Sequence, residues 1–128
     1  MALTFGGTST DKVAKTNAAS IQTLAEKTLL VWVRPTSLLD GKYMYTKYQG
    51  GTNAGWGLYT NGTAGAVELD QQRATTDMIY ISSTTPLVAN TWTCLAATVS
   101  TAGNNGHIYA GSLTSSLTEV SYSTSTVG

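Results

Sequence analysis

Short apolar or alternating runs recur along the chain, and clusters of Gly, Asn, Thr and Pro separate them. Runs of this length, bounded by turn-forming residues, are typical of strands in an antiparallel sandwich. We therefore expect an all-β protein made of two packed antiparallel sheets. The predicted strands are residues 2–5, 12–14, 28–34, 43–48, 57–60, 66–69, 78–82, 92–99, 107–110 and 119–123.

The low charge of the chain supports this prediction. Lys, Arg, Asp and Glu make up 11% of the 128 residues, whereas helical surfaces usually carry many more of them. Seven basic residues balance seven acidic ones, and no basic run is dense enough to collect phosphates, which argues against nucleic acid as a partner. The one segment with helical character, residues 18–27, is expected to form a single turn. The length suits one domain over residues 1–128.

Two strands are apolar on both faces, which is typical of strands covered above and below. In "TLLVWVRP", Leu30 and Trp32 share one face. In "TWTCLAATVS", Trp92 shares a face with Cys94 and Ala96, whose small side chains leave room for a second sheet to approach. We therefore expect Trp32 and Trp92 to lie where the two sheets meet. The single cysteine, Cys94, excludes an internal disulfide and is expected to be a small buried hydrophobe.

Five motifs follow one another in an order that resembles the laminin-G-like branch of the concanavalin A-like lectin and glucanase superfamily. The motifs are "LTFGGTSTDKVA" (residues 3–14), "TLLVWVRPTS" (28–37), "GWGLYTNG" (55–62), "NTWTCLAATVS" (90–100) and "HIYAGS" (107–112). The resemblance implies a concanavalin A-like jelly roll. It also implies a domain that lacks its C-terminal strands, because members of this family continue past the last of these motifs.

An unclosed sandwich exposes an apolar face and unpaired strand edges. Lys, Pro or bulges usually protect such edges, yet from Met78 onward the sequence offers only Pro86, and Glu119 is the only charged residue. We therefore expect a homo-oligomer or another partner that shares strands.

The stretch "VELDQQ" is the strongest catalytic candidate. Glu68 and Asp70 project from one face of a strand, and glucanases of the same superfamily carry a similar Glu-x-Asp strand followed by a second Glu. Gln72 stands where that second carboxyl falls, and an amide cannot transfer a proton. We therefore expect a solvated strand face and no enzyme activity. His107, the only histidine, has no nucleophile motif to serve.

Calcium remains open as a cofactor, because lectin-like sandwiches often use carboxylates on one rim. Asp11 lies in the turn that matches the acidic turn of the family, and Asp40 or Asp77 could approach it. Hard cations need several oxygen ligands, and no Asp-x-Asp cluster supports the site, so Asp11 is a weak metal candidate.

Glycan binding depends on aromatic rings that stack on sugar C–H surfaces and on amides that read the hydroxyl pattern. The alternation places Tyr43 and Tyr45 on one face. The opposite interpretation is that most of the aromatic rings in the segment around these tyrosines fill the core, as the resemblance implies for Trp56. The candidate ligand-binding residues, which all lie in one aromatic and glycine-rich segment, are Tyr43, Tyr45, Tyr48, Asn53, Trp56, Tyr59 and Asn61.

The sequence therefore predicts a non-catalytic recognition module for a glycan or a protein surface, with carbohydrate as the favoured ligand. The alternative is a structural or attachment protein of a virus particle or cell-surface assembly, and a glycoside hydrolase is the less favoured third reading. The start "MALTFGG" has no basic stretch leading into a long apolar run, so we expect neither a signal peptide nor a spanning helix there; either the protein is not exported by its own signal or that signal has been removed. An extracellular, cell-surface or virion location is expected from the family.

Overall fold

The computed structural model describes residues 26–49, 54–72, 77–82, 84–100 and 105–127. In these ranges every regular element is a β-strand, and the strands form two antiparallel sheets, so the predicted all-β, two-sheet architecture is confirmed. The strands are β1 (Glu26–Val33), β2 (Tyr43–Gln49), β3 (Ala54–Asn61), β4 (Ala66–Gln72), β5 (Asp77–Ser82), β6 (Thr93–Ser100), β7 (Asn105–Ser112), β8 (Thr118–Glu119) and β9 (Tyr122–Val127).

One sheet has four strands in the order β1-β6-β7-β8, and the other has five in the order β2-β3-β4-β5-β9. Strands β2 to β5 form a meander in which each strand pairs with the next along the chain. The β3–β4 turn contains Gly62 at φ 69° and Gly65 at φ 92°, values that glycine adopts without strain. A Cβ on Gly65 would also collide with the backbone carbonyl of Leu87, so this turn is held against the following loop.

The C-terminal segment crosses from one sheet to the other. The sequence predicted a single strand over residues 119–123, and this is wrong, because β8 pairs with β7 while β9 pairs with β5. Between them Val120 is buried, and its N–H donates a hydrogen bond of 2.8 Å to the carbonyl of Ile108. Burying Val120 turns the backbone, and the chain then enters the second sheet.

The core lies between the inner faces of the sheets. Strand β6, which runs between β1 and β7, contributes Leu95, Ala97 and Val99. The sheets approach closely at Gly106, where an added Cβ would lie 2.5 Å from the ring of Tyr80 on the other sheet. The other core residues are Trp56, Leu58, Val67, Leu69, Leu87, Ile108 and Val120.

The two predicted interface tryptophans do not lie between the sheets. Trp32 is 45% exposed and Trp92 is 36% exposed, so the expectation that the layers meet across these indoles is wrong. Strand β1 alternates as predicted, but the face directed at the core is the one that carries Leu29 and Val31. The apolar pattern separated the two faces of β1 correctly, but the face with the larger side chains was predicted to meet the core and instead lies outside. Cys94 is buried, as expected.

Some predictions fall outside the described residues. These include the predicted strands at residues 2–5 and 12–14 and most of the predicted helical turn at 18–27, although Glu26 and Lys27 themselves belong to β1. In the described part of the chain there is no helix of sufficient length and apolarity to cross a bilayer.

Candidate functional site

The outer face of the five-stranded sheet carries a cluster of polar and aromatic side chains. In β4, Val67 and Leu69 point into the core, so the alternating residues Glu68 and Asp70 share the outer face, as predicted. Tyr59 of β3 lies directly opposite Glu68 in the antiparallel register. Cross-strand neighbours of this kind have side chains in contact range.

Glu68 is only 6% exposed although it lies on an outer face. One carboxylate oxygen accepts a hydrogen bond from the hydroxyl of Tyr59, and the other accepts one of 2.5 Å from the side-chain amide of Asn61. Asp70 is also buried. The expectation of a solvated strand face is therefore wrong for both carboxylates. A buried carboxylate needs donors of this kind, because an unpaired charge away from water is costly.

The environment of Tyr59 changes its acidity. Burial, and then the hydrogen bond and negative charge of Glu68, raise the pKa of Tyr59 far above its ordinary value of 10.0. The hydroxyl therefore stays protonated at neutral pH and donates its proton to the carboxylate. The pair acts as a fixed donor and acceptor.

Tyr43 adds an exposed ring to this cluster. It is 57% exposed, and its ring centroid lies 5.0 Å from that of Tyr59 with the planes tilted by 49°. Offset and tilted ring pairs of this kind are favourable aromatic contacts. One side of the Tyr43 ring therefore contacts protein while much of its remaining surface faces solvent.

The prediction that Tyr43 and Tyr45 share a face is wrong. The β2–β3 register shifts between these two residues, so that Tyr43 pairs with Tyr59 while Tyr45 pairs with Leu58. A bulge adds one residue to a strand and exchanges the faces beyond it. Tyr45 consequently packs on the core side.

Two of the predicted ligand-binding aromatics thus contact the interior. Trp56 is buried in the core, as the alternative interpretation held, and the ring of Tyr45 lies 4.6 Å from it, centroid to centroid. The side chain of Tyr48, and Asn53 as a whole, lie outside the described residues. Of the predicted set, the structure brings together Tyr43, Tyr59 and Asn61.

Of the possible calcium ligands, Asp40 is the one whose side chain lies in the described part of the chain. Asp11 and the side chain of Asp77 lie outside the described residues. Asp40 instead accepts a hydrogen bond of 2.6 Å from the backbone N–H of Gly62 and so fixes the β3–β4 turn. Among the described residues no group of three or more His, Cys, Asp and Glu side chains is placed to hold a metal ion.

The sequence pattern indicated a catalytic candidate or a solvated residue at Glu68 and did not place it beside Tyr59 and Asn61. A signal was present in the hairpin. A turn centred on residues 62–65 places position 59 opposite position 68, so a tyrosine and a glutamate at those positions become neighbours. A hairpin turn at Gly62 and Gly65 therefore predicts that Tyr59, Asn61 and Glu68 are neighbours.

The two antiparallel sheets define a β-sandwich of the concanavalin A-like kind. The family described as the concanavalin A-like lectin/glucanases superfamily, in its laminin-G-like form, matches residues 6–126. The chain therefore belongs to this superfamily, which is a class of lectin-like and binding modules, and the resemblance drawn from its motifs is confirmed. No curated protein and no solved structure matches the sequence.

Proposed function

We propose that the chain is a non-catalytic glycan-recognition module whose contact surface is the outer face of the five-stranded sheet. The observation that carries the proposal is the exposed ring of Tyr43 beside the hydrogen-bonded set of Tyr59, Asn61 and Glu68. Sugar rings present an apolar C–H face together with hydroxyls, and this surface offers a counterpart to each. Membership of a lectin-like superfamily supports the same ligand class.

Each residue has a distinct part in this proposal. The ring of Tyr43 stacks on the apolar face of a pyranose. Asn61 donates one amide N–H to Glu68, which leaves its carbonyl oxygen and second N–H for sugar hydroxyls. Glu68 is a positioning residue, since it is buried and holds both the Tyr59 hydroxyl and the Asn61 amide in place.

The proposed module binds without cleaving. A retaining glycosidase needs a nucleophilic carboxylate and a second carboxyl that serves as acid and base. Glu68 could act as the first, but the sequence has a glutamine at position 72, where the second carboxyl falls in the glucanase pattern. An amide in that position cannot supply the proton that the leaving group needs. Equal and negligible release of reducing sugar from β-glucan by the wild type and by Glu68→Gln is the expected result.

A structural role in a particle or cell-surface assembly is the second candidate. It is supported by Leu30 and Trp32, which stand exposed on the outer face of the four-stranded sheet and give a second chain an apolar surface to cover. Light scattering on the purified chain, combined with a glycan-binding assay, separates the two candidates. Under the structural role the chain associates and binds no glycan.

A glycan array, read with and without calcium, tests the main proposal. We expect saturable binding of a neutral glycan, weakened about tenfold by Tyr43→Ala because a stacking contact is lost. Tyr109→Ala, which removes a half-buried ring on the other sheet, is the matched control and should leave binding unchanged. No binding across the array, or equal binding by Tyr43→Ala and the wild type, would contradict the proposal.

A further inference from the structure

A second surface of the molecule combines an exposed indole with a cluster of hydroxyls. It lies at the end of the four-stranded sheet where β6 begins and β7 ends, and we call it the Trp92 rim. Val88 and Trp92 line it from the loop before β6, and Ser112 and Ser115 line it from the end of β7 and the turn that follows. Gly111, which precedes Ser112 in β7, also lines the rim and contributes no side chain.

The loop before β6 holds Trp92 in place. The N–H of Asn90 donates a hydrogen bond of 2.7 Å to the carbonyl of Pro35, and the Nε of Arg34 donates one of 3.0 Å to the carbonyl of Asn90. The N–H of Thr91 donates one of 3.2 Å to the carbonyl of Val88. These bonds tie the loop to the end of β1, so the indole needs little ordering when a ligand arrives.

The hydroxyls of the rim are also fixed. The hydroxyls of Ser112 and Ser115 lie 2.9 Å apart, and the backbone N–H of Ser112 donates a 2.9 Å hydrogen bond to the Ser115 hydroxyl. The N–H of Thr114 donates one of 3.2 Å to the hydroxyl of Ser112. A Cβ on Gly111 would lie 2.9 Å from the carbonyl oxygen of Ser116, so glycine lets this turn fold close to the strand.

The chemistry of the Trp92 rim selects one ligand class. None of the described residues that line it is ionisable, so no fixed charge attracts an ionic ligand. A hydroxyl can both donate and accept, which matches sugar hydroxyls, and an exposed indole matches the apolar face of a pyranose. An apolar peptide would cover Trp92 and Val88 but would leave the fixed hydroxyls facing apolar groups, which is unfavourable.

We propose that the Trp92 rim is a second glycan-binding site, selective for neutral sugars and separate from the surface around Tyr43. The sugar stacks on the Trp92 indole and exchanges hydrogen bonds with Ser112 and Ser115. The site does not depend on the Tyr43 surface, which lies on the other sheet. A module with both sites binds a branched or repeated glycan at two points, which raises its overall affinity.

Titration with neutral methyl glycosides, followed by NMR of the indole N–H signals, tests this site directly. The Trp92 signal is assigned from the spectrum of Trp92→Phe. We expect a saturable shift of the Trp92 signal with at least one glucoside, galactoside or mannoside. Trp92→Ala should weaken binding about tenfold, Trp92→Tyr should retain most of it, and Ser112→Ala should weaken it by a smaller factor. Trp32→Ala is the matched control, because it removes an exposed indole that does not line the rim.

The outcomes separate this proposal from the one for the Tyr43 surface. Tyr43→Ala should leave the Trp92 shifts unchanged, even where it abolishes binding on the array. If no neutral glycoside shifts the Trp92 signal in the wild type, the rim is not a sugar site. If Trp32→Ala weakens binding as much as Trp92→Ala, the site has been assigned to the wrong indole. Because the wild-type titration needs no variant, poor folding of Trp92→Ala does not affect the test.

Discussion

The outer faces of the two sheets differ in side-chain exposure, and the difference is the opposite of what the residue types alone predict. On the four-stranded sheet, Leu30 and Trp32 are about half exposed. On the five-stranded sheet, Glu68 is buried and hydrogen bonded. The apolar side chains thus face solvent while a carboxylate is covered.

This contrast shows that the sheet face on which a strand residue lies and the solvent exposure of its side chain are separate properties. Alternation decides which face a side chain takes, whereas neighbouring strands decide whether it is covered. Among the described strands, β1 is outermost in its sheet, so Leu30 and Trp32 have a strand neighbour on one side only. Glu68 lies in β4 between β3 and β5, and the ring of Tyr59 lies opposite it.

The largest expected effect comes from the inner face of the four-stranded sheet. Leu95→Ala should lower the free energy of unfolding by about 2–5 kcal/mol, because it leaves a cavity in the core. Leu30→Ala on the outer face should cost well under that, about 0.5 kcal/mol. Urea unfolding of the two variants measures the difference. Equal losses would mean that the outer face of β1 is covered in solution.

The next effect concerns the buried carboxylate. Glu68→Ala should lower the free energy of unfolding by about 1–3 kcal/mol, because the Tyr59 hydroxyl and the Asn61 amide lose their acceptor. Glu26→Ala is the matched control, since it removes an exposed glutamate from the outer face of the other sheet. Its cost should stay within about 0.5 kcal/mol. A similar small cost for Glu68→Ala would show that its carboxylate is hydrated.

Alkaline pH should act on the same cluster. The folded-state pKa of Tyr59 is raised, mainly by burial, so the unfolded chain releases this proton first. Stability that is fully present below about pH 10 should therefore be lost as the pH rises from there toward the folded-state pKa. Tyr59→Phe should flatten this decline in chemical unfolding measured from about pH 9 to about pH 11. Tyr109→Phe, which changes a tyrosine on the other sheet, serves as control, and an unchanged slope in Tyr59→Phe would contradict the assignment.

The smallest effect is expected on the four-stranded sheet, where an exposed ion pair joins β7 to β8. His107 Nδ1 lies 2.6 Å from Glu119 Oε1, and the side chains are 41% and 47% exposed. Measured at a pH low enough to protonate the imidazole, Glu119→Gln should cost about 0.2–1 kcal/mol, and the difference should shrink in high salt because exposed charges are screened. A salt-independent loss above this range would indicate that the pair is covered in solution.

The sequence predicted most of the described strands and the common face of Glu68 and Asp70, because short apolar runs and period-two alternation are local properties. The same alternation could not tell which face of Leu30 and Trp32 meets the second sheet. That choice depends on strand order, which arises from pairings between distant segments such as β1 with β6. The predicted strand over residues 119–123 failed similarly, since only tertiary contacts show that Val120 turns the chain.

The candidate site was predictable in its composition but not in its arrangement. Aromatic residues and amides in a glycine-rich segment indicated a binding surface. The bulge between Tyr43 and Tyr45 has no clear local sequence signal, so simple alternation assigned these two rings to the same face. The burial of Glu68 depended on a hairpin partner nine residues away.

That bulge also means that the pairing register, and not residue type alone, decides which face of the sheet carries the ring of Tyr43. If Met44 paired directly with Tyr59 instead, Tyr43 would face inward as Tyr45 does, so the ring pair with Tyr59 would be lost without any tyrosine being replaced. A single extra residue in β2 thus decides whether one tyrosine ring or a contacting pair lies on this face of the sheet.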